Sequence, residues 1–191
     1  MNYVGELGYE IFHPIESQIP VYQTLMAAGK EFDLKMFGMY AMDSMRLEKG
    51  YLAWKSEMNV HHTPLETNVA WTVKLDKDFI GKAGVEKQKA EGVPRQLVCL
   101  VCDAEDADPW GYSPIFNGED IVGMTSSGGY GHRVEKSIAL GYVPPELTSP
   151  GTRLAVEVLG KKLTAEVVDD AYPLYLTTGR LLYQYHTCTM T

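Results

Sequence analysis

No stretch of the chain approaches the 18 consecutive apolar residues that a membrane-crossing helix needs, and Met1 is followed by neither a basic segment nor an apolar one. No membrane partner and no secretory leader are therefore expected, and a cytoplasmic location follows, although a processed organelle-matrix protein would read the same. Cysteine is scarce: three residues, odd in number and uneven in spacing, are not a disulfide framework. Cation is scarce too. Against 25 Asp and Glu stand 17 Lys and Arg, a formal charge of −8. Nucleic-acid binding draws its affinity from clustered cations that release counterions, so no nucleic-acid partner is expected. The chain also lacks a G-x-S-x-G elbow, a phosphate-binding P-loop and a dinucleotide fingerprint.

What is present is ordinary globular sequence. With 45% hydrophobic and 22% charged residues over 191 positions, the chain can bury one large core or two small ones. An acidic protein with a small-molecule partner fits this balance.

Periodicity divides the chain. Gly8 to His13 alternates and predicts a short strand ended by Pro14. Ser17 is placed to cap a helix with Pro20 in its first turn, and Val21, Leu25, Ala28 and Phe32 fall on one face that should be buried. A second helix is expected from Met39 to Glu48, with Gly50 to terminate it and its methionines packing in the core. Ala70 to Leu75 reads as a strand, and Gly81 to Glu91 as a surface helix stopped by Gly92-Val93-Pro94. That Gly-Val-Pro is the expected domain boundary. Beyond it the pattern changes to six short β runs: Gln96–Cys102, Ser113–Phe116, Asp120–Thr125, Ile138–Val143, Arg153–Leu159 and Leu163–Val168. Asn117-Gly118 and Leu159-Gly160-Lys161-Lys162 signal hairpins, and six strands at this spacing predict a small closed barrel. Cys99 and Cys102 lie three apart on the first of these strands, so their thiols should point to opposite faces and cannot share a metal.

Five blocks carry a more specific signal. Tyr3-Val4-Gly5-Glu6-Leu7-Gly8-Tyr9-Glu10, Ala41 to Tyr51 (A-M-D-S-M-R-L-E-K-G-Y), Thr63-Pro64-Leu65-Glu66, Asp78-Phe79-Ile80-Gly81-Lys82, and Val122 to Tyr130 with Lys136 to Val143 stand in this order. The chain resembles, over about residues 2–176, the folate-dependent aminomethyltransferase family, the glycine-cleavage T-protein and its relatives. The resemblance implies an α+β fold. Residues 1–92 would be part of an aminomethyltransferase folate-binding domain and 95–176 a six-stranded antiparallel β-barrel domain, with 177–191 an unassigned tail.

The resemblance also implies chemistry. The family moves a methylene or methyl unit from an amine-like donor to tetrahydrofolate. Glu6 matches the carboxylate that takes the pterin ring; an ionised carboxylate can accept from two adjacent N–H groups at once. Tyr3 would be a neighbouring pocket wall. Trp54 corresponds to an aromatic near the folate, either stacking on ligand or sealing a domain interface. No metal ligands are expected: His61 and His62 are adjacent and diverge, and no ligand set completes them. Arg46 and Glu48 lie two apart on a helix and do not face each other, so Arg46 is expected to tie the helix to a buried carboxylate.

The family's catalytic Asp belongs to the half of the fold that these blocks do not cover, so no catalytic residue is assigned. This chain is expected to be a C-terminal fragment, inactive alone, of an enzyme acting on glycine-derived or N-methylated amines. Its partners would be folate, a small amine donor, and the complementary half or a lipoyl carrier protein. FAD enters only if a dehydrogenase domain precedes it. One departure narrows the choice. Glycine-cleavage members usually carry Arg before the Asp of the second block, where Met42 stands here, and a methionine cannot pair with a ligand carboxylate. That puts strict glycine-cleavage activity in doubt, and the Trp54 position, Glu6-Leu7-Gly8 and the Gly128 to His132 loop lean instead toward the folate domains of dimethylglycine and sarcosine dehydrogenases. A non-catalytic folate-binding or interaction module is the alternative.

Overall fold

A computed structural model describes residues 3–5 and 8–168. The C-terminal part is a closed antiparallel barrel of β1 (Gln96–Cys102), β2 (Pro114–Asn117), β3 (Asp120–Gly131), β4 (Lys136–Val143), β5 (Arg153–Val158) and β6 (Lys161–Val168), in the order β1-β4-β3-β2-β5-β6. Closure leaves no free edge. The expected six-stranded barrel is therefore present; β4 and β6 each begin two residues before their patterns, and β3 runs six residues past its own. β3 continues past Thr125 to Gly131 because Ser126 to Gly131, although poor in bulky apolar residues, stays in register with β4 down to Gly131↔Lys136. The Val158↔Lys161 pair leaves Leu159-Gly160 as a two-residue turn with φ of 50° and 78°. Two left-handed residues in succession match the right-handed twist of the flanking strands.

Strand alternation builds two apolar layers. Val98, Leu100 and Cys102 point into the barrel with Ile115, Val156 and Val167. Leu97 and Cys99 point outward with Ile138, Leu140 and Tyr142. The two thiols thus fall in separate layers, as the period of two requires. Burial pushes the Cys102 thiol up to about 12.

Before the barrel come α1 (Gln18–Gly29), α2 (Met39–Glu48) and α3 (Lys82–Glu91). The surface helix and its Gly92 stop are as expected, with Gly92 at φ 89°. Four other expectations fail. Residues 8–14 form no strand, for no strand among the described residues pairs with them, and Tyr9 and Phe12 are exposed. α1 forms after Ser17, but without a side-chain cap, and buries nothing; Leu25 and Phe32 are exposed because α1 packs chiefly on its own flanking turns. Ala70–Leu75 begins as a 3-10 turn over Ala70–Thr72, closed locally by Val73 N donating to Ala70 O and the Thr72 hydroxyl to Val69 O. The methionines of α2 are not the core either: Met39 is exposed, and Arg46, Leu47 and Glu48 are buried instead.

α2 is the element that seats on the barrel. Its last turn presses Leu47 into the outer layer beside Leu97, Ile138 and Leu140. Full burial of one leucine stabilises by roughly 1.5–3 kcal/mol. Gly50, at φ 66°, ends the helix: Gly50 N donates to Leu47 O and Tyr51 N to Arg46 O. The chain can then turn straight into the loop that carries Trp54 and Glu57.

Candidate functional site

Three consecutive buried residues at a helix end include two charges, and both need partners. Glu57, fully buried, supplies one of them. Its Oε2 accepts from Arg46 Nη1 at 3.0 Å and from Ala53 N at 2.7 Å. Its Oε1 accepts from the Ser126 hydroxyl at 2.8 Å and from the Ser127 hydroxyl. Consecutive strand residues ordinarily point to opposite faces. Here the β3–β4 register shifts between Thr125 and Ser127, and this bulge turns both hydroxyls onto one carboxylate. The Tyr142 hydroxyl donates to Glu57 O at 2.7 Å, which fixes the loop backbone as well.

The second charge, Glu48, reaches the β3–β4 turn, where its Oε1 accepts from Arg133 N at 2.6 Å and Val134 N at 3.3 Å. One turn earlier on α2, the Ser44 hydroxyl donates to Tyr130 O at 2.7 Å. Helix and barrel are thereby locked on either side of a cleft of about 330 Å³ lined by Val4, Ala41, Ser44, Met45, Glu48, His132 and Arg133. Ala41, Ser44, Met45 and Glu48 are spaced three, one and three apart, one face of α2. The volume is at the low end of the roughly 300–1,000 Å³ usual for small-molecule sites.

Of the residues expected at the site, Tyr3 adjoins this cleft through its neighbour Val4. Its ring is half-buried and stacks on Tyr51 with centroids 6.1 Å apart and planes 27° apart. Its hydroxyl is buried with no hydrogen-bond partner among the described residues. Burial, first of all, raises the Tyr3 phenol above its ordinary value; Arg46 opposes this, and Glu57 and Asp43 add to it. Glu6 lies outside the described residues. Trp54 is 66% exposed on the loop after Gly50 and is not in the cleft wall. Arg46 does tie the helix to a buried carboxylate, but the sequence did not name it. Glu57 carries no motif signal of its own, a Glu within a dozen residues of a helical Arg being the only hint, and Ser126 and Ser127 lie in the Val122 to Tyr130 block without being marked as its partners. Asp43 was likewise passed over. It sits 45% exposed, with its Oδ1 accepting from Arg46 Nε at 2.6 Å.

The two histidines separate. His62 lies flat on the Tyr142 ring, centroids 4.0 Å and planes 3° apart, with Arg95 Cζ 5.8 Å from the same ring's centroid. Burial and the Arg95 charge hold His62 below its ordinary value. Thr63 and Glu66 form a reciprocal cap, Thr63 N donating to Glu66 Oε2 at 2.7 Å and Glu66 N to the Thr63 hydroxyl at 3.4 Å. Arg95 Nε donates to Glu66 Oε1 at 3.1 Å. Burial alone would raise Glu66, but the Thr63 backbone and Arg95 outweigh it and hold it low. Among the described residues no group of three or more His, Cys, Asp or Glu could hold a metal ion, and no helix is long and apolar enough to cross a membrane.

A closed six-stranded antiparallel barrel preceded by helices is the fold of the aminomethyltransferases. Residues 1–77 match the GCVT N-terminal domain and residues 95–174 the glycine cleavage T-protein C-terminal barrel domain, so the chain belongs to the glycine cleavage T-protein family. Human mitochondrial dimethylglycine dehydrogenase is 42% identical over 179 residues, 93% of this chain and 20% of that protein. The aminomethyltransferase of Halothermothrix orenii is 37% identical over 168 residues, 87% of this chain and 47% of that protein. The crystal structure of the glycine cleavage system aminomethyltransferase T from Bartonella henselae superposes with a TM-score of 0.77 at 25% identity, covering 83% of this chain and 44% of that one. The chain spans less than half the length of each.

Proposed function

We propose that this chain is the folate-recognising part of a tetrahydrofolate-dependent one-carbon transferase whose donor is an N-methylated amine, as the name of the dimethylglycine dehydrogenase relative suggests. Tetrahydrofolate would supply the acceptor nitrogen for the one-carbon unit. The observation that carries the reading is the Tyr3 hydroxyl of the opening signature, buried and without a hydrogen-bond partner among the described residues, whose neighbour Val4 lines a cleft of small-molecule size. A buried donor with no protein partner is costly by roughly 1–3 kcal/mol and is satisfied when a ligand offers an acceptor. These residues fit a pterin: Glu6 accepts its adjacent N–H groups, Tyr3 contributes an aromatic wall and a hydroxyl, and the exposed indole of Trp54 offers a stacking face.

The domains divide at Val93-Pro94, with residues 1–92 recognising folate and the barrel holding α2 in place. Catalytic proton management falls outside this chain, whose matched blocks contain no counterpart of the family's catalytic Asp. Either the complementary half or a carrier protein would complete the site. An acidic chain of this kind fits the cytoplasm, or the mitochondrial compartment named for the dehydrogenase relative.

Titration of the 191-residue chain with 5-formyltetrahydrofolate, followed by tryptophan fluorescence, tests the reading. Binding should be weak but saturable, at least tenfold weaker for Glu6→Gln, and unaccompanied by methylenetetrahydrofolate formation from dimethylglycine. No binding by the wild-type chain, or an unchanged affinity for Glu6→Gln, would refute folate recognition. Turnover by residues 1–191 alone would refute the division of labour.

A further inference from the structure

One buried ion pair holds both ends of the segment that leads from α2 to Trp54. Arg46 Nη1 donates to Tyr51 O at 3.2 Å, and Tyr51 N donates to Arg46 O at 2.9 Å. Its partner Glu57, 3.0 Å away, accepts from the amide of Ala53, the residue before Trp54, at 2.7 Å. Tyr51 is also the ring that stacks on Tyr3. The two aromatic side chains assigned to the folate site, Tyr3 and Trp54, are therefore tied to opposite members of a single Arg–Glu pair. The Trp54 turn is closed on itself as well. Met58 N donates to Ala53 O at 3.1 Å and Lys55 N to Met58 O at 2.7 Å, which bridges Trp54 to Met58. Between them Lys55 holds φ 77°, in the left-handed region that a non-glycine residue keeps only where its surroundings impose it. So constrained a turn carries an indole that is left exposed. An aromatic on a fixed support loses little conformational freedom when another ring stacks on it.

We infer that Glu57 is a positioning residue for Trp54: the Arg46–Glu57 pair, braced by the barrel, sets where the indole stands relative to Tyr3 and so pre-forms two aromatic walls of the folate site. The inference rests on the proposed folate recognition and gives the barrel a part in it. Glu57 is fully buried and touches no ligand. Its Oε1 accepts from the Ser126 and Ser127 hydroxyls of the β3 bulge, and its backbone O accepts from the Tyr142 hydroxyl of β4 at 2.7 Å. The two strands thus act on the ligand only through the Trp54 turn.

Ser127→Ala and Tyr142→Phe each remove one brace and leave the ion pair in place, so both chains should fold. The test titrates the 191-residue chain with 5-formyltetrahydrofolate by calorimetry, well below the unfolding midpoint of every variant. Each brace variant should weaken folate by about 3- to 10-fold, the cost of ordering a loosened side chain and its turn on binding. Trp54→Ala should weaken it by about tenfold, as a lost ring-on-ring stack does. In the Trp54→Ala background the brace variants should then cost less than about twofold more, because their effect runs through the indole. Time-resolved anisotropy of Trp54, alone in a Trp71→Phe, Trp110→Phe background, reads the turn directly. It should decay with the whole molecule in wild type and gain a fast component in both brace variants. A merely structural role would lower the unfolding midpoint and leave anisotropy and affinity unmoved. The inference is overturned by a Trp54 already mobile in wild type, by brace variants or a Trp54→Ala variant that bind folate as wild type does, or by brace variants that cost as much without the indole as with it. Each of these leaves folate recognition standing. No folate binding by the wild-type chain instead overturns the parent reading, and this inference with it.

Discussion

Replacing Glu57 by Ala should be the most damaging single change in the chain outside the apolar core. It removes the shared acceptor of Arg46 Nη1, the Ala53 amide and the Ser126 and Ser127 hydroxyls in a fully buried setting, leaving Nη1 only Tyr51 O at 3.2 Å. Removing one partner of a buried ion pair costs about 3–5 kcal/mol, and each orphaned neutral donor about 1–3 kcal/mol when nothing relaxes. The terms are not additive, since Arg46 still has Asp43 and a serine can rotate to another acceptor; Ser126 already reaches Leu140 O at 3.1 Å. A loss of about 4 kcal/mol is expected, a Tm lower by about 8–16 °C for a chain of this size. Glu57→Gln keeps the shape and one acceptor and should cost about half as much. Arg46→Met with Glu57→Leu removes both charges and should cost clearly less than the two single changes summed. Urea unfolding followed by near-UV circular dichroism measures the two Glu57 variants, the double variant and its two single changes. If Glu57→Ala shifts the unfolding free energy by less than about 1 kcal/mol, or if the double variant is additive, the Arg46–Glu57 pair does not hold α2 to the barrel.

Glu48→Gln removes the charge that receives the Arg133 and Val134 amides, so hydrogen exchange at those two amides should accelerate by about tenfold while the β1–β4 ladder is unchanged. His62 has a folded-state value below its ordinary 6.5, so the unfolded chain binds the proton first. The stability it supports is full above that value and is lost as pH falls below it. Glu66, also held low, adds a second loss as pH falls below its ordinary 4.5. Unfolding midpoints from pH 8 down to about 2 should fall in two steps, and His62→Phe, which keeps the stack on Tyr142, should remove the upper one. With its thiol pushed up to about 12 by burial, Cys102 should resist iodoacetamide at pH 8 in the folded chain and react only after unfolding.

The barrel was legible because its strands carry their own signals. β1 alternates between two apolar layers, and Leu159-Gly160 and Asn117-Gly118 mark the tight turns. Where the sequence misled, the missing ingredient was a partner. Tyr9 and Ile11 alternate with Glu10 and Phe12 as in a strand, and Leu25 and Phe32 recur as a buried helix face should, yet Tyr9, Ile11, Leu25 and Phe32 are all exposed. Periodicity reports what a segment could bury, not what lies against it. Ala70–Thr72 failed for a different reason: a short apolar run closes as a local turn when no neighbouring strand offers a ladder.

The site divides in the same way. The family blocks located the opening signature and α2, because those residues are contiguous. Glu57 belongs to no block, yet it receives the helix through Arg46, the loop through Ala53 and the barrel through Ser126 and Ser127. Its importance is a property of three segments meeting, separated by 11 and about 70 residues of chain. The requirement itself was visible, since an arginine on the inner face of a helix must find an anion. Choosing among the acidic residues that could answer it needed the β3 bulge, and nothing in Thr125-Ser126-Ser127-Gly128 announces that bulge before the β4 register is known. The same geometry separates Glu57 from Asp43: both pair with Arg46, but only the carboxylate that the bulge reaches is fully buried, while Asp43 stays 45% exposed.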